Sequence, residues 1–371
     1  MIENKLITAI EIEAKAKELK SKGYPVISLA IGEPDFPIHE NIKKSINKAI
    51  LENKNYYPNP QGVVELREAI AEYETKRKKI HISPDEILIT AGGKPVIFYT
   101  IFSLCNSDDE VILFEPYYLV YPYWCKVLNI KYHTIKLNED GLIPKDQLLK
   151  HLNNKTRLLI INYPNNPQGS LMTEENLELL LEVLDKYPRI YILSDEVYSE
   201  LVYEGEHISI FSYNKNRVIL LESFSKTFCM TGLRLGYGIF PKEIIKNLVT
   251  FNSNLITGPT TPIQYGGITA LKDNEVKNYV NFMREEFKKR RDFVYEKLKI
   301  LVKFKPKGAF YYFIEIPYDS LEFCNKALNE KFLALTPGSL FGDSFKNYVR
   351  ISFANSMENL DEGLSRFLSL L

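Results

Sequence analysis

Val218-Ile219-Leu220-Leu221-Glu222-Ser223-Phe224-Ser225-Lys226-Thr227-Phe228 is followed at short intervals by Gly232, Arg234 and Gly236. The apolar run Val218 to Leu221 reads as a buried strand, and the polar residues begin where it stops. A lysine at the mouth of a strand can form a Schiff base, and the serines and spaced arginine can hold a phosphate. The set therefore suggests pyridoxal phosphate (PLP). Taken alone, Ser-x-Ser-Lys is also ordinary turn chemistry, so the rest of the chain must choose between the two.

Upstream of this stretch, helical and strand-like segments alternate. Val63, Leu66, Ile70 and Tyr73 recur at helical spacing, and Glu86 to Thr90 is a short strand running into Ala91-Gly92-Gly93-Lys94. Pro95 suits a first helical position, and the apolar Val96 to Cys105 predicts a helix buried behind a sheet. Val111 to Phe114, Leu158 to Ile161 and Ile190 to Leu193 are further buried strands. Thr173 caps a helix whose Leu177, Leu180, Leu181 and Leu184 share one face until Pro188 stops it. Such alternation predicts an α/β fold with a largely parallel sheet covered on both faces, and ligands at the carboxyl ends of the strands. After about residue 265 the character changes. A long charged helix, Val276 to Lys299, precedes Gly308 to Phe313, a helix near Leu321 to Asn329 and a strand-like run, Tyr348 to Phe353. This predicts a smaller α+β domain.

Composition narrows the function. The 371 residues are 45% hydrophobic and 25% charged, with 47 basic and 47 acidic side chains, so no global field recruits nucleic acid or an anionic membrane surface. Cys105, Cys125, Cys229 and Cys324 lie far apart, with no histidines at metal-ligand spacing. That pattern fits reduced thiols in a cytoplasmic protein and gives no metal site. Met1 to Lys22 interleaves charges with apolar positions, so it predicts neither a secretory signal nor a membrane span.

Polar chemistry collects after the strands. Asn162-Tyr163-Pro164-Asn165-Asn166-Pro167-Gln168-Gly169 follows one, and Ser194-Asp195-Glu196-Val197-Tyr198 follows another. Each has a plain reading as turn or cap chemistry. In the functional reading, an aspartate there pairs with a protonated pyridine nitrogen and keeps the ring an electron sink.

In this order and spacing the pieces resemble the class I/II PLP-dependent aminotransferases, the fold-type-I aspartate aminotransferase family, from Gly32-Glu33-Pro34-Asp35-Phe36 to Arg350. The resemblance implies a largely parallel mixed sheet covered by helices, plus a smaller α+β domain formed by both chain ends. Residues 1–40 would belong with the small domain, 41–265 would form the large PLP-binding domain, and 266–371 the small C-terminal domain. It implies that Lys226 carries the cofactor, Asp195 pairs with the pyridine nitrogen, and Asn166 and Tyr198 donate to the ring's phenolic oxygen. Backbone amides of Gly93 and Lys94 at a helix N-terminus, with Ser223, Ser225 and Arg234, would cradle the phosphate. Tyr118 falls where the family stacks an aromatic ring on the pyridine, often a tryptophan. Arg350 would grip the substrate α-carboxylate, a bidentate task suited to guanidinium, and Gly32 would bring backbone close to that carboxylate. Tyr57 matches a tyrosine that reaches the phosphate of a neighbouring subunit, implying a homodimer.

The implied reaction is ping-pong transfer of an α-amino group to a 2-oxo acid, with Lys226 moving the α-proton. Lys94 can meet the distal carboxylate of a dicarboxylic substrate or be a solvated lysine at a helix start. Aspartate or glutamate with 2-oxoglutarate is the leading expectation. The aromatic stretch Tyr117, Tyr118, Tyr121, Tyr123 and Trp124 leaves an aromatic or apolar amino acid as the alternative. Carbon-sulfur lyases and cyclopropane-forming synthases share the fold. A nucleotide-binding P-loop fails on spacing, because Leu88 stands where its first glycine is needed and Pro95 replaces its Ser or Thr.

Overall fold

The computed structural model describes residues 9–371. Its strands in chain order are β1 (Ile27–Ser28), β2 (Ile87–Thr90), β3 (Glu110–Glu115), β4 (Lys131–Lys136), β5 (Thr156–Asn162), β6 (Tyr191–Asp195), β7 (Val218–Ser223), β8 (Gly236–Ile239), β9 (Tyr311–Glu315), β10 (Leu333–Ala334), β11 (Thr336–Pro337) and β12 (Tyr348–Ser352). Seven of them form the main sheet in the order β2-β8-β7-β6-β5-β3-β4. Pairing is antiparallel on both sides of β8 and parallel across β7, β6, β5, β3 and β4.

Alternation explains how β7 sits at the centre. Val218 and Leu220 enter the core on one face, while Ile219 and Leu221 enter the core on the other. Fully burying one such side chain contributes about 1.5–3 kcal/mol. Helices cover both faces. In Glu174–Lys186, Thr173 accepts a hydrogen bond from the Asn176 amide, and Leu177, Leu180, Val183 and Leu184 are buried. That helix ends at Lys186, with Tyr187 as its C-cap immediately before Pro188.

Two strands of the main sheet are absent from the sequence reading. β4 is an edge strand whose side chains are mostly outside the core, so it lacks an apolar run. β8 reads Gly-Tyr-Gly-Ile, and two glycines in four residues hide its β pattern although all four positions are buried.

The second core draws on both chain ends: Ile27 and Leu29 pack with Phe287, Phe310, Phe353 and Leu364. β1 pairs in parallel with β10, and β11, β12 and β9 form a small antiparallel sheet. The expected division after residue 265 falls inside the helix Thr261–Lys272, which packs on Glu40–Leu51 and Val64–Lys78. The next helix, Asn274–Leu298, begins with Val276 in the main core and continues with Val280, Met283 and Phe287 in the second. Among the described residues no helix is long and apolar enough to cross a membrane.

Candidate active site

β5, β6 and β7 run parallel and end side by side at Asn162, Asp195 and Ser223. Their carboxyl ends open into a cavity of about 240 Å³ that also receives Gly32, Tyr311, Phe341 and Arg350 from segments of the second core and its surroundings. Lys226, Asp195, Tyr198, Gly93, Lys94, Tyr118, Asn166, Ser223, Ser225, Arg234, Gly32 and Arg350 all line it. Tyr57 does not: it stands 90% exposed on the surface.

Ser223 ends β7 and caps the single helical turn Phe224–Thr227, which places Lys226 in the cavity. The Lys226 Nζ donates to the Gly32 carbonyl at 2.6 Å. Burial lowers its pKa to about 8, and the cations Arg350, Arg234 and Lys94 add to that effect while Glu33 opposes it.

Beside this turn lies a pocket suited to an anion. Gly93 caps the helix Lys94–Leu104, and Gly92 takes φ +82°, where a Cβ would run into the Arg234 guanidinium. Arg234, itself at φ 54°, donates to the Thr231 carbonyl at 2.7 Å and the Ala91 carbonyl at 3.3 Å. Ser223 Oγ and Ser225 Oγ lie 3.0 Å apart. Burial, then the charge of Arg234, lowers the pKa of Lys94.

At the opposite wall Asp195 accepts a 2.7 Å hydrogen bond from the Tyr121 hydroxyl on its Oδ2. Burial raises its pKa to about 6, and the hydrogen bond from Tyr121 does most to hold it down. Asn162 ties the loop together, donating from Nδ2 to the Asp195 carbonyl at 2.9 Å and accepting on Oδ1 from the Asn166 amide at 2.8 Å. The Tyr198 and Tyr311 hydroxyls share a hydrogen bond of 2.8 Å.

Arg350 reaches in from β12. Its Nη1 donates to Asn166 Oδ1 at 3.0 Å and its Nη2 to the Ala30 carbonyl at 2.6 Å, while its Nε is buried without a partner. The guanidinium lies 4.4 Å from the centroid of the Tyr311 ring and 5.1 Å from that of Phe341. Among the described residues it has no carboxylate partner, and neither has Arg234.

Among the described residues the cavity thus presents Lys94, Lys226, Arg234 and Arg350 against one lining carboxylate, Asp195. Arg350 is buried and Lys226 partly so, whereas Lys94 and Arg234 are exposed at the cavity's edge; a buried cation without a counter-charge calls for an anionic ligand. A phosphate at the helix N-terminus, a ring nitrogen at Asp195, a carbonyl carbon at Lys226 and a carboxylate at Arg350 would satisfy this set, so the residues fit PLP with an amino acid. Gly32 sits so close to the Tyr311 hydroxyl that any side chain there would collide with it.

Tyr121, Asn162, Tyr311 and Phe341 were not among the expected site residues. Tyr121 and Tyr311 look like core aromatics in the sequence; only their hydroxyl partners mark them as parts of the site. Of the aromatic stretch, Tyr118 and Tyr121 line the cavity, whereas Tyr117, Tyr123 and Trp124 do not.

Comparison with known proteins gives concordant results. The profile of the family "Aminotransferase class I and II" matches residues 24–367. A (5-formylfuran-3-yl)methyl phosphate transaminase of Methanocaldococcus jannaschii is 38% identical over 98% of this chain and 96% of its own. An aspartate aminotransferase of Pyrococcus horikoshii is 37% identical over 94% of this chain and 91% of its own. The solved structure of Thermus thermophilus aspartate aminotransferase with maleate superposes with a TM-score of 0.94 at 33% identity, covering 98% of this chain and 96% of that one.

Proposed function

The chain belongs to the class I and II aminotransferases, PLP-dependent enzymes, and on that premise we propose that it moves the α-amino group of aspartate or glutamate to a 2-oxo acid such as 2-oxoglutarate. The observation that carries the substrate class is the pair of cationic stations in one cavity, Arg350 at one wall and Lys94 at another, with no carboxylate bound to either among the described residues. A dicarboxylic amino acid offers one anionic group to each. The names of the aspartate aminotransferases to which the chain is similar support the same reading.

When bound, the cofactor supplies an aldehyde that takes up an amino group and a ring that accepts the electron pair released at the substrate α-carbon. Lys226 would hold it covalently. Ser223, Ser225, Arg234 and the amides of Gly93 and Lys94 would hold its phosphate, and Asn166, Tyr198 and Tyr118 its ring. Asp195, as the carboxylate, would keep a proton on the ring nitrogen. Arg350 orients the substrate by its carboxylate, and Gly32 limits the space beside it. Lys226 Nζ, neutral once its lowered pKa is passed, takes the proton from the substrate α-carbon. Donor and acceptor use one site in turn, so the kinetics are ping-pong.

A second reading is favoured by the walls: Tyr118, Tyr311 and Phe341 give the cavity an aromatic lining that suits an aromatic donor. We further infer a homodimer in which Tyr57 of each protomer reaches the other's phosphate site; a cytoplasmic location agrees with the four free cysteines.

The test is a donor panel on PLP-loaded protein followed by absorbance. Aspartate and glutamate should bleach the visible band of the lysine-bound cofactor at least tenfold more efficiently than phenylalanine or tyrosine, and Lys226→Ala should lack the band. Preference for aromatic donors would replace the dicarboxylate reading, and absence of the band in the unmodified protein would remove Lys226 from its role. The acceptor panel should include a phosphorylated aldehyde, given the name of the Methanocaldococcus jannaschii transaminase.

A further inference from the structure

Directly behind the site, on the opposite face of β7 from Leu221, three carboxylates surround a single guanidinium. Arg77 Nη1 donates to Glu74 Oε1 at 2.8 Å, and Arg77 Nε lies 2.9 Å from Glu200 Oε1. Its contact with Glu222 Oε1 is longer, 3.4 Å. Hydroxyls complete the set: Tyr237 to Glu74 at 2.6 Å, Tyr73 to Glu200 at 2.6 Å and Ser199 to Glu222 at 2.5 Å. Lys78, the next cation along the helix, is paired with Glu196, which also meets His207. Arg284 acts on Glu200 from the helix Asn274–Leu298.

The charges do not balance. Glu74 and Glu222 are buried, and among the described residues Arg77 is the one cation in direct contact with the three carboxylates; Lys78, paired with Glu196, acts on Glu222 and Glu200 only through its field, as Arg284 does on Glu200. Uncompensated negative charge in such a place is removed by protonation rather than carried. Each carboxylate takes a short bond from a neutral hydroxyl, and Glu222 is the least compensated of the three because its contact with Arg77, 3.4 Å, is the longest. Glu74 is fully buried, and its Oε2 has no hydrogen-bond partner, so the cluster is one donor short. A protonated carboxyl supplies one. A void of about 10 Å³ bounded by Arg77, Glu200, Glu222, Ser223 and Thr227 joins this cluster to the residue that begins the phosphate pocket. It has room for no more than about one water.

We propose that the cluster holds a proton on Glu222 at neutral pH, and that loss of this proton puts negative charge behind Ser223 and loosens the cofactor's phosphate. The second half rests on the phosphate pocket proposed above. Burial, with the charge of Glu74 adding and Arg77, Lys78 and the Ser199 hydrogen bond opposing, raises the pKa of Glu222 to about 8 from the ordinary 4.5. The folded protein therefore keeps a proton that the unfolded chain has already released between pH 4.5 and about 8. The group's contribution to stability is full below that window, falls as pH rises through it, and levels off above it.

Glu222→Gln mimics the protonated form. In the infrared spectrum of the full chain, with and without PLP, a carboxylic-acid carbonyl band should be present at pH 7, fade as pH rises through about 8, and be absent from Glu222→Gln. The PLP dissociation constant of the unmodified protein, divided by that of Glu222→Gln, should be near unity at pH 7. By pH 9.5 it should rise about two- to tenfold, the range expected for one added charge at intermediate dielectric. The melting temperature of Glu222→Gln relative to the unmodified protein should climb from pH 5 to 8 and then stay level. A missing acid band at pH 7, or a dissociation-constant ratio that does not change with pH, overturns the proposal. If instead Arg234→Ala binds PLP as tightly as the unmodified protein, the phosphate pocket is misplaced; the acid band does not depend on that result.

Discussion

Arg350 and Lys226 depend on one another through charge. Arg350 has its Nε buried and unpaired among the described residues, in keeping with the carboxylate-binding role proposed for it, and its positive field is among the causes that lower the lysine pKa to about 8. Replacing Arg350 by Lys keeps the charge and loses the fork. The expected result is a 10- to 150-fold drop in kcat/KM, about 1.5–3 kcal/mol for a lost charge-assisted contact, with the Lys226 titration little changed. Arg350→Met removes the charge as well, so the reactivity of Lys226 toward an amine-selective reagent in cofactor-free protein should titrate at higher pH than in the unmodified protein. An unchanged midpoint in Arg350→Met would mean that Arg350 takes no part in setting the lysine. Sequence reasoning named Lys226 from Ser-x-Ser-Lys after a strand, whereas Arg350, an arginine on a strand with a plain reading as an ion pair, was expected only through the family resemblance. It missed Tyr121 and Tyr311 because a buried tyrosine announces its ring in the pattern and not its hydroxyl. The partners, Asp195 and Tyr198, lie 74 and 113 positions away.

β8 and the helix Lys94–Leu104 meet at backbone distance. A Cβ on Gly236 would lie 2.6 Å from the Gly92 carbonyl carbon and 2.8 Å from the Gly93 nitrogen. The glycine that hides β8 from a β pattern is thus what lets the strand lie against the helix N-terminus. Gly236→Ala should force the Gly92-Gly93 turn outward. Overpacking of this kind costs about 1–3 kcal/mol, which urea denaturation would register, and displaced amides should weaken PLP binding at least tenfold by fluorescence titration. Unchanged PLP affinity would show that the turn amides do not hold the phosphate. Elements with unbroken apolar runs, such as β7 and β5, were legible because both faces are buried. β4 was not, since an edge strand needs only one paired neighbour and keeps polar side chains.

On the scale of the whole molecule, Tyr57 does not line its own chain's cavity and lies exposed at the surface. Tyr56 and Tyr57 are exposed, as are Leu255 and Ile256, and the two segments touch where Gly258 meets Pro58. Exposed apolar groupings of this sort mark interaction surfaces. If two protomers pair through this surface, each site draws Lys226 from one protomer and Tyr57 from its partner, and the two defects can be separated genetically. Lys226→Ala protomers should be inactive, and Tyr57→Ala protomers should bind PLP at least tenfold more weakly than the unmodified protein. In a twofold dimer combining one of each, both lesions fall in the same site and the other site is intact. Differently tagged protomers, co-expressed and purified through both tags, should therefore recover about half the turnover of the unmodified dimer, with one tight PLP site per dimer. A hybrid no more active than its parents, or a Tyr57→Ala protein with undiminished PLP affinity, would place Tyr57 outside the partner's site.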